Sequence, residues 1–211
     1  MSAKRFTGRP AAALVVALVA LGTGGCAAKP KSVTVPLKFR PTSQLNMNSF
    51  AGDLPDTPVQ IGAVTDSRDN RDKVGENVED KQPVPVLGGG PEPTEFFRVV
   101  MHDLLTKAGL KVTDDAGRAQ RVLVSELHRF WTQEGDTYEG EVRATIAVND
   151  ASGRQLWKGT VNGTAKRFGR SLSAENYQEV FSDAMVNLVE GLLNNAGFRA
   201  ALKRDAKPAA Q

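Results

Sequence analysis

Four aromatic side chains, Phe130, Trp131, Tyr138 and Trp157, fall near the ends of strand-like segments and share them with Arg129, Arg143 and Lys158. Rings and cationic side chains so mixed can form a stacking platform for a base, a sugar or a peptide. The same residues could instead cover sheet edges or pack under helices, since Trp and Tyr occupy cores as well as interfaces. Asp66 and Arg68 stand two apart at the end of a strand-like run, so they point to one side and could pair with each other or grip a loop. Arg170 belongs to a strand-to-helix connection, Gly169 to Ser173, whose free N–H groups suit an anion, although Ser173 as helix cap explains the serine without one. Asp66, Arg68, Arg129, Trp131, Tyr138 and Arg170 are therefore the candidate partner-binding residues.

Catalytic and metal chemistry is much harder to assemble. The chain has no Gly-x-Ser-x-Gly elbow, phosphate loop, HExxH or paired CxxC. His102 falls off the apolar stripe of a predicted helix and His128 follows Leu127 in a strand, so both read as surface or edge residues. Asp66, Asp69 and Asp72 are interrupted by Arg68 and Arg71, and lack the glycine and closing glutamate of a calcium loop. No catalytic residue, metal site or cofactor is expected, and the reading is non-enzymatic.

The single cysteine carries the most specific chemistry. Lys4, Arg5 and Arg9 precede an apolar run from Ala11 to Leu21, and Gly22, Thr23, Gly24 and Gly25 lead into Cys26. This is the layout of a secretory leader over residues 1–25, and the run is far shorter than the ~20 residues a membrane-spanning helix needs. Small residues directly before a cysteine resemble the lipobox of bacterial lipoproteins, although Thr23 stands where an aliphatic residue is usual. That resemblance implies lipidation of Cys26, which becomes the new N-terminus; the alternative is a secreted chain with a free thiol. Two or three acyl chains at ~0.8 kcal/mol per buried methylene hold far better than one. Ala27 in place of Asp, by resemblance to Gram-negative sorting rules, implies the outer membrane and its periplasmic face.

The leader also reframes the charge. The full chain has 27 Lys+Arg against 24 Asp+Glu, a net +3, but three of those cations leave with the leader. Residues 27–41 and 199–211 carry four basic groups each, which leaves residues 42–198 with 16 basic and 23 acidic side chains. An acidic domain excludes nucleic acid as a partner, and the basic ends suit an anionic membrane surface.

The elements that must position these residues follow from periodicity. Residues 26–56 read as the lipidated cysteine and a flexible tether, with Val33 to Phe39 alternating weakly enough to leave an edge strand open. Residues 57–198 read as one globular domain, and 199–211 as a basic flexible tail. Within the domain a strand is predicted at Val59–Thr65, then a long loop over 66–93 rich in charge, Pro and Gly. A helix follows, with Thr94 as N-cap, a stripe of Phe97, Val100, Met101, Leu104, Leu105 and Ala108, and a stop at Gly109. A short extra strand at Leu110 to Thr113 is left open. Strands at Arg121–Gln133, Thr137–Asp150 and Gln155–Phe168, joined by turn residues, predict an antiparallel meander. Val142, Ala144, Ile146 and Val148 share its buried face, and Glu141, Arg143, Thr145 and Asn149 its wet one. A last helix, Ala174–Ala196, is predicted with Ser173 as cap, Gly197 as left-handed stop and Phe198 against Leu193. The fold expected is α+β, a two-layer sandwich with both helices on one face of a mainly antiparallel sheet.

These segments also carry a family resemblance. Ile61-Gly62-x-Val64-x-Asp66-x-Arg68, Gly75, Val84-Pro85-Val86, Gly109-Leu110, Gly153-x-x-Leu156-Trp157-x-Gly159 and Gly169-Arg170-Ser171-x-Ser173-x-Glu175-Asn176-Tyr177 resemble the YajG-type bacterial lipoproteins over about residues 57–202. The resemblance implies a lipid-anchored envelope protein facing the periplasm and brings no catalytic residues. The function expected is an accessory or docking component of an envelope assembly or transport system, bound to the membrane by its anchor and to an envelope protein partner. The alternative is a periplasmic binding module for a lipid, glycan or peptidoglycan fragment.

Overall fold

The computed structural model describes residues 31–46 and 54–203; the leader, Cys26, residues 47–53 and the tail from 204 onward lie outside the described residues. Among the described residues the order is β1 (Val33–Pro36), β2 (Val59–Asp66), β3 (Gly75–Asn77), β4 (Val84–Gly89), α1 (Pro93–Lys107), β5 (Arg121–Glu134), β6 (Tyr138–Asp150), β7 (Gln155–Arg167), α2 (Ala174–Asn194) and α3 (Ala196–Lys203). The seven strands form one open mixed sheet with the helices packed against it. The α+β class is as expected, with three helices instead of two.

The meander β5-β6-β7 is the frame. Its turns are short and polar, and Gly153 supplies a left-handed residue at the second. On β6, Val142, Ala144, Ile146 and Val148 are buried while Glu141, Arg143, Thr145 and Asn149 alternate outward. Strand β5 adds an irregularity that alternation does not announce. Its pairing with β6 steps from Leu127↔Ala144 to Arg129↔Arg143, leaving His128 as an extra residue in a β-bulge. Because the side-chain period is two, one inserted residue exchanges the faces. Leu123 and Leu127 face the core before the bulge and Phe130 does after it, so Arg129 and Trp131 turn to the wet side.

The segment 66–93 is not the structureless loop that its composition predicts. Strands β2 and β3 pair one after the other, both parallel, with a single edge of β5 (Val59↔Arg121 to Asp66↔Leu127, then Gly75↔Thr132), and β4 returns antiparallel to β3. Val74, Val84 and Val86 are buried. β3 has three residues, too few to show a period, β4 is interrupted by Pro85, and their outer partners, β5 and β1, are remote in sequence. Gly75 is needed for this pairing, since a Cβ there would lie 2.2 Å from the Thr132 carbonyl oxygen.

The tether is also shorter than expected. β1 pairs parallel with β4 (Val33↔Val86 to Pro36↔Gly89), and Val35 and Leu37 are in the core. Residues 40–46 then run along α2: Arg40 N–H donates to Ser182 Oγ at 2.8 Å, Thr42 and Ser43 N–H to Asp183 at 2.7 and 2.9 Å, and Asn46 N–H to Glu190 at 2.5 Å. The folded unit thus begins by Val33 and not at residue 57.

The helix layer shows why the glycines stand where they do. α1 starts one residue before the expected cap, with Glu92 at the cap and Pro93 at the first helical position, where a missing N–H costs nothing. It ends as expected at left-handed Gly109, with Leu110 N–H bonded to Leu105 O at 3.1 Å and Gly109 N–H to Thr106 O at 3.0 Å. The segment after it contributes one isolated bridge, Val59↔Val112. Gly163 lets α2 touch β7: a Cβ there would lie 2.0 Å from Ala184 O. Ser173 occupies the α2 cap position, but its side chain makes no capping bond.

The expected stop at Gly197 is absent. α2 ends at Asn194, and Asn195 Oδ1 accepts the Phe198 N–H at 3.0 Å to start α3, which contains Gly197. Gly197 makes room for Trp157, whose Nε1 would be 2.8 Å from a Cβ, and Phe198 meets the same ring edge-on at 5.6 Å. Residues 199–203, placed by sequence in a flexible tail, are helical, with Ala201 and Leu202 buried.

Candidate functional site

The wet face of the meander is the surface that the helices leave uncovered. On it the bulge at His128 brings Arg129 and Trp131 beside Glu141 of β6 and Thr164 and Lys166 of β7. With Gln133 they line a surface cleft of about 450 Å³. Arg129 Nε lies 2.6 Å from Glu141 and its guanidinium sits over the Trp131 ring at 5.6 Å, an ion pair and a cation–π contact sharing one group. Lys166 pairs with Glu139 at 2.5 Å, and that hydrogen bond holds the Glu139 carboxyl below its ordinary range. Below the cleft, His128 Nε2 is 2.8 Å from Thr145 Oγ1, which is 3.1 Å from Thr160 Oγ1. The surface therefore offers paired charges, hydroxyls and one aromatic face, the chemistry of recognition. Among the described residues no group of three His, Cys, Asp or Glu is disposed to hold a metal ion.

Only part of the expected platform is here. Phe130 is in the core, stacked on Phe181 at 4.2 Å, and Tyr138 is buried edge-on to Tyr177 at 4.9 Å. Trp157 is at the opposite end of the sheet, against α3. Of the platform residues, Trp131 and the cations Arg129, Arg143 and Lys158 share the wet face, with Arg143 opposite Arg129 in register; of the candidate partner-binding residues, Arg129 and Trp131 are the pair brought together there.

Asp66 and Arg68 form a clamp. Arg68 is 5% exposed; its Nε and one terminal nitrogen bond both Asp66 oxygens at 2.9 and 2.8 Å, and the guanidinium also donates to the carbonyls of Arg71 and Lys73. Burial opposes ionisation of Asp66, but the Arg68 hydrogen bonds and charge outweigh it and hold the carboxyl below its ordinary range. This pair is spent on shaping the turn between β2 and β3.

Tyr138 and Arg170 meet at another corner, through the Arg170 backbone. The Tyr138 hydroxyl donates to Arg170 O at 2.5 Å and accepts the Ser173 N–H at 3.0 Å, while Asn176 Nδ2 donates to Arg170 O at 3.0 Å. The Arg170 side chain is exposed. The organiser of this corner is Glu134, which sequence reasoning passed over as a turn residue. It is fully buried, accepts the Leu172 N–H at 2.7 Å and accepts the Tyr177 hydroxyl proton in a short hydrogen bond. Burial opposes its charge, yet the bonds from Tyr177, Asn77, Leu172 and Ser171 together keep its carboxyl below the ordinary range. Burial first, and then the neighbouring Glu134, push the Tyr177 phenol far above its usual range. Tyr177 stands three and four residues before Val180 and Phe181, the spacing of a buried helix face, and a buried hydroxyl requires a partner.

No protein-family model and no curated protein matches the chain. Among solved structures it is similar to a Xanthomonas campestris protein of the DUF330 family model, with TM-score 0.51 and 11% identity over 77% of this chain and 93% of that one. It also matches a putative lipoprotein from Caulobacter crescentus (TM-score 0.41, 12% identity, 57% and 85% coverage) and a lipoprotein from Neisseria meningitidis (0.35, 12%, 55% and 88%). The first likeness establishes a shared fold. The YajG-type resemblance rests on the sequence motifs given above.

Proposed function

We propose that the protein is a lipid-anchored lipoprotein of the bacterial cell envelope, held in the outer membrane facing the periplasm, that works without catalysis by docking an envelope protein on its wet sheet face. The leader and Cys26 support the anchor, and Ala27 supports the outer membrane. The observation that carries the docking reading is the contrast between the two sheet faces. Between sheet and helices the space is filled by buried side chains such as Phe97, Phe130, Phe181, Met185 and Leu188. The other face is open, polar and furnished with the Arg129–Trp131–Glu141 cleft, where an aromatic and an arginine of the kind that anchor interfaces stand together. The glycan alternative draws on the same ring and carboxylates.

A photo-crosslinking residue at Thr164 in the native membrane tests this. The expected product is an adduct with an envelope protein that disappears in Trp131→Ala and does not form from Val99, on the outside of α1. An adduct with glycan instead of protein favours the alternative reading. Equal products from both positions, or none from 164, contradict docking at this face.

A further inference from the structure

The strand register defines two ends of the sheet and places both the route to the anchor and an exposed aromatic residue at the same one. Following the pairing across, Val33 is level with Val86, Gly75, Thr132, Gly140 and Ala165. β7 runs toward this end and leaves it at Arg167, and β1 enters the sheet from the same end at Val33, because β1 is parallel to β4 and β4 antiparallel to β3. The opposite end holds Arg121, Asp150, Gln155 and α3, whose Ala201 O accepts a bond from Arg121 at 3.1 Å.

Phe168 stands just past the end of β7 and is 78% exposed, whereas among the described residues the large apolar side chains of the strands are buried or half-buried. The loop behind it is held in place. Glu134 grips Leu172, Tyr138 and Asn176 grip Arg170, and Ser171 Oγ donates to Glu79 at 2.7 Å. Leu172 is kept at φ +55°, a conformation that non-glycine residues adopt only when surroundings impose it. The exposure of Phe168 is thus a fixed feature of the fold, with the exposed Arg170 two residues further on.

Chain length then restricts orientation. Only residues 27–32 separate Cys26 from Val33, a span of about 24 Å at full extension. The far end of β5, at Arg121, lies 11 residues below the level of Val33, or about 36 Å. A domain tied at Cys26 can therefore bring the Phe168 end to the bilayer but cannot stand inverted. β1 and β7 are the two edges of the strand path, five strand spacings or about 24 Å apart, so the anchor and Phe168 would meet the surface at separate points.

We propose that the Phe168–Arg170 tip is a second membrane contact, with Phe168 in the interfacial layer of the bilayer and Arg170 beside lipid phosphates, so that the domain stands end-on beneath its lipid anchor. The inference rests on the reading of Cys26 as acylated. Because Lys166 is paired with Glu139 and Arg167 with Glu179, the contact is led by the apolar ring and not by net charge.

The test uses the full-length protein extracted from membranes and reconstituted in phosphatidylethanolamine–phosphatidylglycerol vesicles containing nitroxide-labelled lipids. With the single native cysteine acylated, Asp136→Cys beside Phe168 or Ser152→Cys at the far end carries the only free thiol for a fluorophore. The expected result is quenching at 136 several-fold stronger than at 152, falling to the level of 152 when Phe168→Ser is added. Intact mass of the same samples reports acylation of Cys26. An acylated protein whose label at 136 is no more quenched than at 152, or is indifferent to Phe168→Ser, overturns the tip contact and leaves the anchor standing. An unacylated Cys26 overturns the anchor reading, and the tip contact with it.

Discussion

Two connections in this fold, between β2 and β3 and between β7 and α2, are each locked by one buried charged side chain, yet the locks are built on opposite plans. Arg68 bonds only within residues 66–73: the aspartate two positions before it and two carbonyls a few residues after. Glu134 binds at a distance, to the Leu172 N–H and the Tyr177 hydroxyl, 38 and 43 residues away. A local lock gives a turn its shape. A remote lock also fixes that turn relative to the sheet, so the second connection can hold Phe168 out in solvent.

Mutations should separate the two plans, beginning with the largest effect. Glu134→Ala leaves a buried hydroxyl and a backbone N–H unpaired and is expected to cost about 3–5 kcal/mol in urea unfolding. Arg68→Ala, with its consequences confined to one loop and the partly exposed Asp66, should cost about 2 kcal/mol, and Arg68→Lys should recover little because an ammonium cannot make the fork. Gly169→Ala places a Cβ 2.1 Å from Asn176 Nδ2; the side chain can yield by giving up its bond to Arg170, for a loss of about 1 kcal/mol. Phe168→Ser should change stability by no more than about 0.5 kcal/mol. If Arg68→Ala proved costlier than Glu134→Ala, the remote lock would not be the stronger one.

Acid sharpens the same contrast. The carboxyls of Glu134 and Asp66 both titrate below their ordinary values of 4.5 and 3.8 in the folded chain. A depressed pKa adds stability that is complete above the unfolded value and is lost as pH falls through the folded one. Stability should therefore decline below about pH 4, and Glu134→Gln should flatten that decline more than Asp66→Asn. The check is the urea midpoint measured from pH 7 down to pH 3.

What could be read from the sequence was whatever depends on neighbours. The faces of β6 follow from strict alternation, the meander from its turns, and the end of α1 from Gly109 followed by Leu110. The pairing of Asp66 with Arg68 follows from their spacing on one side of a strand. What could not be read depends on remote partners or on a single inserted residue. β3 is too short for a period and β4 is interrupted by Pro85, and each is recognisable only by its place in the sheet, β3 beside β5 and β4 between β3 and β1. The bulge at His128 decides that Phe130 is core and Trp131 is surface, and nothing local announces it. Gly197 has the appearance of a helix stop, but the space it leaves is filled by Trp157, 40 residues earlier. The buried Glu134 was concealed for the same reason, since its partners lie on α2 and the loop before it.

The proposed acylation of Cys26 underlies both the docking reading and the end-on orientation, and incorporation of a radiolabelled fatty acid into the protein in growing cells tests it most directly. The wild-type chain should take up label and Cys26→Ser should take up none. Equal, background-level incorporation by the two would contradict the account.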